Sequence, residues 1–350
     1  MLAAVFEGNG KLVIKERPKP GIKNESDVLI KVTASGICGT DLHILQVPPA
    51  HPATEGCILG HEFTGEIVEV GNKALDLQVG DMVVVNPHPP CGLCRYCKMG
   101  RPDRCKNMYT PKYPGNLNTM GIFSDGGMAN YVVVPEHSLY KINSEILPHL
   151  ASLAEPLACV VNATDKVKVQ PGDTAVILGA GPIGLLFVLM FKASGVAKLI
   201  VSEPLSIRRK AAIECGATLT VDPQNEDLEL VVKEETDGGA DVVVEAVGPF
   251  INQALCLVHS SGKIIQFGHD ELARPEIHVG DIVRHEISIF GAFGTYIGQY
   301  TFDRVVKIIE SGVLPLEKVI SHRLPLSRIN EGIELLRKGK AIKVIIHPDE

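Results

Sequence analysis

The sequence predicts a two-part α/β protein, an irregular β-rich domain followed by a doubly wound parallel sheet covered by helices. Three observations lead there. The chain has 350 residues, beyond the ~250–300 at which a single hydrophobic core stops growing. Its apolar rhythm changes near position 148, and a glycine-spaced strand–turn–helix stands soon after that change.

From Met1 to about Ile142, short runs rich in β-branched residues alternate with Gly and Pro: DVLIKVTASGI, EFTGEIVEVG, DMVVVN and MANYVVVP. Such runs bounded by turn formers make strands. From about Pro148 the apolar runs DTAVILG, KLIVSE, ATLTVD, DVVVEAVG and KIIQFG are separated by helical stretches, the spacing of successive βαβ units. After ISIFGAFG, the helical stretches FDRVVKIIESG and INEGIELLRKG and the strand KVIIHP leave that alternation, so the tail is expected to return to the first domain. The expected boundaries are 1–147 for the β-rich domain, 148–290 for the parallel sheet and 291–350 for the returning segment.

Apolar residues make up 45% and charged residues 21%, an ordinary globular balance. A formal net charge of -7 gives no general attraction for phosphate backbones or anionic lipid, so no nucleic acid or membrane is expected and a small molecule is the expected partner. The start, MLAAVFEGNGKLVIKE, does not read as a secretion signal, and IGLLFVLMF at 183–191 is far shorter than the roughly 20 residues of a membrane span. Nine cysteines, four of them crowded together, suit metal binding in a reducing compartment, with the cytoplasm as the expected location.

Those four are Cys91, Cys94, Cys97 and Cys105 in CGLCRYCKMGRPDRC, a lobe at about 88–108. Four thiolates in one loop meet the closed tetrahedral demand of a structural zinc, which leaves no position for substrate. Iron–sulfur ligation and unliganded surface cysteines are the alternatives. A nucleic-acid zinc finger is not, because the recognition helix and basic surface are missing.

In DTAVILGAGPIGLLFVLMFKASG, Gly179, Gly181 and Gly184 have GxGxxG spacing, with Pro182 and Ile183 opening the helix. Small residues there let a helix N-terminus and its free amides approach a pyrophosphate. Glu203 ends the next strand, where a carboxylate accepts from ribose hydroxyls and repels a 2'-phosphate, so the expected cofactor is NAD. Arg208 and Arg209 follow closely and pull toward NADP.

Cys38 in TASGICGTDLH and His61 in ILGHEFTGE are each flanked by glycines that let the backbone turn sharply beside a site. In their order, GICGTDLH, GHEFTGEIVEVG, the four-cysteine lobe, AEPLA and GAGPIG resemble the zinc-containing medium-chain dehydrogenase/reductase (alcohol dehydrogenase) family over essentially the whole length. Within it, the polyol (sorbitol/butanediol) and threonine dehydrogenase branches are the most similar. The resemblance implies a GroES-like catalytic domain joined to an NAD-binding Rossmann domain, two zinc ions per subunit, one catalytic and one structural, and a homodimer or homotetramer. It also implies that Cys38 and His61 are catalytic zinc ligands. AEPLA sets Glu155 where other members have a third cysteine, and Glu62 is the other carboxylate within reach. One of the two is expected on the metal and the other on a water, and which is which stays open.

The resemblance further implies that Thr40 and His43 relay the substrate proton outward, with Asp41 orienting the loop or His43. Thr40 and Asp41 also fit a helix cap. Val247 in AVG, Phe267 and Gly268 in QFG, and Ala292 and Phe293 in GAFG match the strand ends that line the nicotinamide half of the cofactor site in similar enzymes. The reaction expected is hydride transfer from a secondary alcohol, a polyol or vicinal diol, to NAD, giving a ketone. L-Threonine is the alternative substrate, because His43 and His88, three residues before the first lobe cysteine, also occur in threonine dehydrogenases. A non-enzymatic zinc-binding relative and a zinc-free quinone reductase are disfavoured by Cys38, His61, Glu62 and Glu155 together.

Overall fold

The computed structural model describes residues 1–74, 76–88, 90–270, 272–294 and 301–348, the side chain of Asp103 excepted. Parts of the predicted returning segment (295–300, 349 and 350) and Pro89 of the cysteine lobe therefore lie outside the described residues. Two compact units form: Met1–Pro156 with Tyr296–Gly312 and Ile320–Glu350, and Leu157–Thr295 with Val313–Val319.

The first unit is built on a seven-stranded, mostly antiparallel sheet in the order His322–Pro325, Val344–His347, Asp27–Gly36, Glu62–Val70, Met82–Val85 and Leu139–Lys141, with Tyr131–Pro135 also paired to Asp27–Gly36. Val28, Ile30, Val32, Phe63, Ile67, Val83, Val85, Val132 and Val134 form one core on this sheet. Alternate residues of a pleated strand share a face, which is why period-2 runs of Val and Ile end up together. A separate hairpin, Leu2–Phe6 with Leu12–Glu16, packs its Ala3, Ala4, Val5 and Phe6 with Ile37, Ile44, Leu59 and the tail residues Ile329, Val344 and Ile346 in a second core. The tail strand Val344–His347 joins the sheet antiparallel to Asp27–Gly36, with Ile345 opposite Gly36.

The second unit is a six-stranded parallel sheet ordered Leu219–Val221, Lys198–Ser202, Thr174–Leu178, Ala240–Glu245, Val258–Gln266 and Ser288–Gly291. Numbered along the chain, that order is third, second, first, fourth, fifth, sixth, so the strand sequence reverses beside the first strand. Ligands bind at the carboxyl ends of strands at such a switch point. Helix Pro182–Ala193 follows the first strand with Leu185 to Leu189 and Phe191 buried, which accounts for its apolar run. Among the described residues, no helix is long and apolar enough to cross a membrane.

Candidate functional site

Strand Asp27–Gly36 runs into Cys38, which stands at the start of the short helix Gly39–Ile44. Asp41, in the first turn, accepts from the Cys38 backbone N–H at 2.8 Å and so fixes the loop. Asp41 thus serves the loop side of the sequence expectation, and it also stands against His61. His61 precedes strand Glu62–Val70 through Gly60, whose φ of +96° is left-handed. A Cβ on Gly121 or Gly126 would lie 2.1 or 2.2 Å from the Gly60 carbonyl oxygen, so glycines on both sides are what let the chain deliver His61 to this point.

The ligand atoms of Cys38, His61 and Glu62 all lie within 4.8 Å of one another. His61 is 5% and Glu62 2% exposed. Glu155, in the first turn of helix Ala154–Val167, is also buried and acts on His61 by its charge, but it is outside that three-membered group. Thr40 Oγ1 is 3.7 Å from Cys38 Sγ, and His43, farther along the same helix, is exposed. Sequence reasoning missed Lys343, a buried residue whose ammonium donates to Glu62 Oε2. Its only signal was a charge opening the apolar strand KVIIHP.

The pocket is electrostatically shaped for a cation. Burial disfavours the charged form of His61, yet the surrounding Cys38, Asp41 and Glu155 outweigh it and hold the imidazole well above its ordinary value. Burial likewise pushes Asp41 up, with His61 and the Cys38 amide drawing it partly back. Asp41 Oδ1 and His61 Nδ1 are 3.9 Å apart, and neither has a hydrogen-bond partner among the described residues. A soft thiolate, an imidazole and a carboxylate converging where a proton is over-held form a donor set that fits zinc. His88 is 4% exposed, and burial together with the charge of His61 pushes its imidazole down to about 3.

The lobe sulfurs Cys91, Cys94, Cys97 and Cys105 also lie within 4.8 Å of one another, and all four thiols are free. Cys94 Sγ is 3.6 Å from Cys97 Sγ and 3.9 Å from Cys105 Sγ. Disulfide sulfurs would be ~2 Å apart, whereas sulfurs ~2.3 Å from a tetrahedral zinc are about 3.8 Å apart. Backbone amides of Cys97 and Lys106 draw the Cys94 thiol down to about 6, while burial and the Cys94 and Cys105 sulfurs push Cys97 up to about 12. Four such groups cannot all ionise without a cation among them, so this set fits a closed zinc site.

In the second unit, Gly181 caps helix Pro182–Ala193, and among the described residues nothing beyond its chain neighbours lies within 4 Å of where its Cβ would be. A bare helix N-terminus of this kind suits an anion such as a phosphate. A Cβ on Gly184 would stand 2.0 Å from the Gly179 carbonyl oxygen, and one on Gly179 would meet Val247 at 2.7 Å, so each glycine answers a close approach. Ile183, the second residue of the helix, is half-buried. Glu203 is 3% exposed and accepts from the Ala180 amide at 2.8 Å and the Leu205 amide at 3.0 Å, tying the glycine turn to the second strand end. Arg209 is engaged by Asp222 at 3.0 Å and by the carbonyls of Glu203 and Pro204, while Arg208 stands 3.9 Å from Glu203 and its Nε has no hydrogen-bond partner among the described residues.

Farther along, Glu245 accepts from the amides of Val247 and Gly248 and from Gln266 Nε2 at 2.6 Å. Gly268 fits tightly against that turn, its Cβ position being 2.2 Å from the Gly248 nitrogen. Val247 and Phe293 are exposed, Phe267 stacks edge-on against Phe187, and Ala292 is buried. Glu245 went unread in the sequence because a strut that holds a turn leaves no motif, whereas Gln266 belongs to the QFG run.

Residues 24–144 match the alcohol dehydrogenase GroES-like domain and residues 182–311 the zinc-binding dehydrogenase domain. The L-threonine 3-dehydrogenase of Thermococcus kodakarensis is 37% identical over 97% of this chain and 94% of that protein. A sorbitol dehydrogenase of Bombyx mori is 32% identical over 99% of this chain and 98% of that protein. The NADP-bound structure of a Sinorhizobium meliloti protein described as a zinc-binding dehydrogenase superposes with a TM-score of 0.88 at 32% identity, covering 99% of both chains.

Proposed function

The chain belongs to the zinc-containing medium-chain alcohol dehydrogenase family, and from that premise we propose that it oxidises a secondary alcohol of a polyol or vicinal diol to a ketone, with NAD as hydride acceptor. It is an enzyme acting on CH–OH donors and uses zinc and a nicotinamide cofactor. The observation that carries the polyol reading is a buried metal pocket completed by carboxylates, Glu62 with Glu155 beside it, rather than by a second thiolate. A polar pocket of that kind can hydrogen-bond a neighbouring hydroxyl, and sites built to bond a hydroxyl reject substrates lacking it.

In this reading Cys38 and His61 hold the catalytic zinc, with Glu62 or Glu155 as third ligand. Bound there, zinc supplies a Lewis acid toward the hydroxyl oxygen, and the nicotinamide supplies a hydride acceptor. Asp41 orients the His61 ring from its Nδ1 side, the usual office of a carboxylate behind a ligating histidine. Thr40, beside Cys38, takes the hydroxyl proton into a hydrogen bond, and exposed His43 on the same helix hands it to water. The bare helix start at Gly181 receives the pyrophosphate, Glu203 and Arg208 flank the ribose, and Val247, Phe267, Gly268, Ala292 and Phe293 serve the nicotinamide.

Two zinc ions per chain are part of the proposal, supported by two ligand groups that share no residue. A homodimer or homotetramer is supported by the last parallel strand, Ser288–Gly291, a sheet edge with Ile289 exposed and exposed Ile277, Val279 and Val283 nearby in sequence. Nine cysteines, none of them in a disulfide, support a reducing, cytoplasmic setting.

A second reading, oxidation of L-threonine, is favoured by His88, which is buried and close enough to His61 to feel its charge. A neutral imidazole there can accept from an ammonium group. Initial rates with NAD over sorbitol, xylitol, galactitol, 2,3-butanediol and L-threonine separate the two. The polyol reading expects a diol or polyol to have the highest kcat/KM, and L-threonine above all of them overturns it.

A further inference from the structure

Lys343 is 1% exposed and directly precedes the tail strand Val344–His347. Its Nζ donates to the Ile37 carbonyl at 3.0 Å and to Glu62 Oε2. Gly36 makes the room. A Cβ at that position would stand 2.3 Å from Glu62 Oε2 and 2.9 Å from Lys343 Cε. Three distant stretches of chain therefore meet on one carboxylate oxygen: the end of strand Asp27–Gly36, the start of strand Glu62–Val70 and the start of the tail strand.

Fold stability is a weak reason for this arrangement, because replacing a fully buried ion pair with apolar residues is often neutral or stabilising. Both charged side chains are 2% exposed, so desolvation opposes the attraction at full strength. What the pair does accomplish is to occupy one of the two oxygens of a carboxylate whose ligand atom lies within 4.8 Å of those of Cys38 and His61.

Given the reading of Cys38 and His61 as zinc ligands, on which this inference rests, we propose that Lys343 is a positioning residue for the metal pocket. It clamps Glu62 by Oε2, leaves one oxygen for the cation, and so keeps Glu62 a weak, exchangeable ligand that can yield to Glu155 or substrate. Oxygen already accepting from an ammonium is a poorer donor to a metal, and a carboxylate held at one end cannot embrace it with both.

The test uses the full chain and two readouts apart from turnover: zinc affinity by chelator competition, and the visible absorption of cobalt-substituted protein. Lys343→Met should release Oε2, tighten zinc at this site on the ~10–100-fold scale by which such partners shift metal affinity, and weaken the cobalt bands as coordination number rises. Lys343→Arg keeps the charge and should restore parental affinity and bands. In a Glu62→Gln background, adding Lys343→Met should leave zinc affinity unchanged, because the carboxylate it acts through is gone. Parental affinity and spectrum in Lys343→Met overturn the proposal, as does an equal gain in the Glu62→Gln background. If Lys343→Met alone does not fold, the Glu62→Gln pair, whose double variant leaves no unmatched charge of this pair, decides by the same criterion. A parent that holds no zinc at Cys38 would instead strike the underlying site reading.

Discussion

Replacing Cys97 with serine should unfold the cysteine lobe while sparing the rest of the chain. The fifteen residues from Cys91 to Cys105 cost about 15 kcal/mol to order at roughly 1 kcal/mol of backbone entropy each. Against that, the lobe's own core is Cys105, Met108 and Leu117, and two well-buried side chains of this size return about 4 kcal/mol. The shortfall, about 11 kcal/mol, is at the lower end of the ~10–16 kcal/mol that a structural zinc supplies to small folds. Losing one of four thiolates opens the site, so Cys97→Ser should fall from two zinc ions per chain to one. Arg95, Lys98, Arg101, Arg104 and Lys106 lie in or beside the lobe, so limited trypsin digestion reads its order directly. The variant should be cut there at low protease while the parent is not. A variant that keeps its metal and resists trypsin as the parent does would refute the reasoning.

Two further outcomes follow from the sites. Glu203→Ser should lower the ratio of kcat/KM for NAD over NADP by about 10–100-fold, the value of one or two charge-assisted contacts, and Arg208 should be the residue that gains, since Arg209 is held by Asp222; a parent that prefers NADP contradicts this. Asp41→Asn should cut catalytic-zinc affinity by about 10–100-fold with the lobe zinc retained, which metal titration checks, and an unchanged affinity removes Asp41 from its role behind His61.

Much of the fold is legible because its signals are local. The period-2 apolar runs in DVLIKVTASG and EFTGEIVEV become paired strands, and the apolar stretch after GAGP becomes a buried helix because a strand precedes it and glycines permit the turn. The lobe is legible for the same reason, since its four ligands are neighbours in sequence. The metal pocket was only half legible. Cys38 and His61 carry flanking glycines and Asp41 belongs to the same short motif as Cys38, but the stand of Asp41 against His61 and the bond from Lys343 to Glu62 are tertiary contacts. Lys343 is 281 positions from Glu62, and no periodicity spans that distance. Glu245, holding Val247, Gly248 and Gln266, is silent in the sequence for the same reason.

The central claim is that one zinc held at Cys38 and His61 is required for alcohol oxidation. Measuring bound zinc and NADH formation from the best polyol or diol, in the same samples of parent and Cys38→Ala, tests it most directly. The account predicts two zinc ions and turnover in the parent, and one zinc with no detectable turnover in a Cys38→Ala protein that remains folded. Retention of both metals, or turnover at the parental rate, in Cys38→Ala would contradict it.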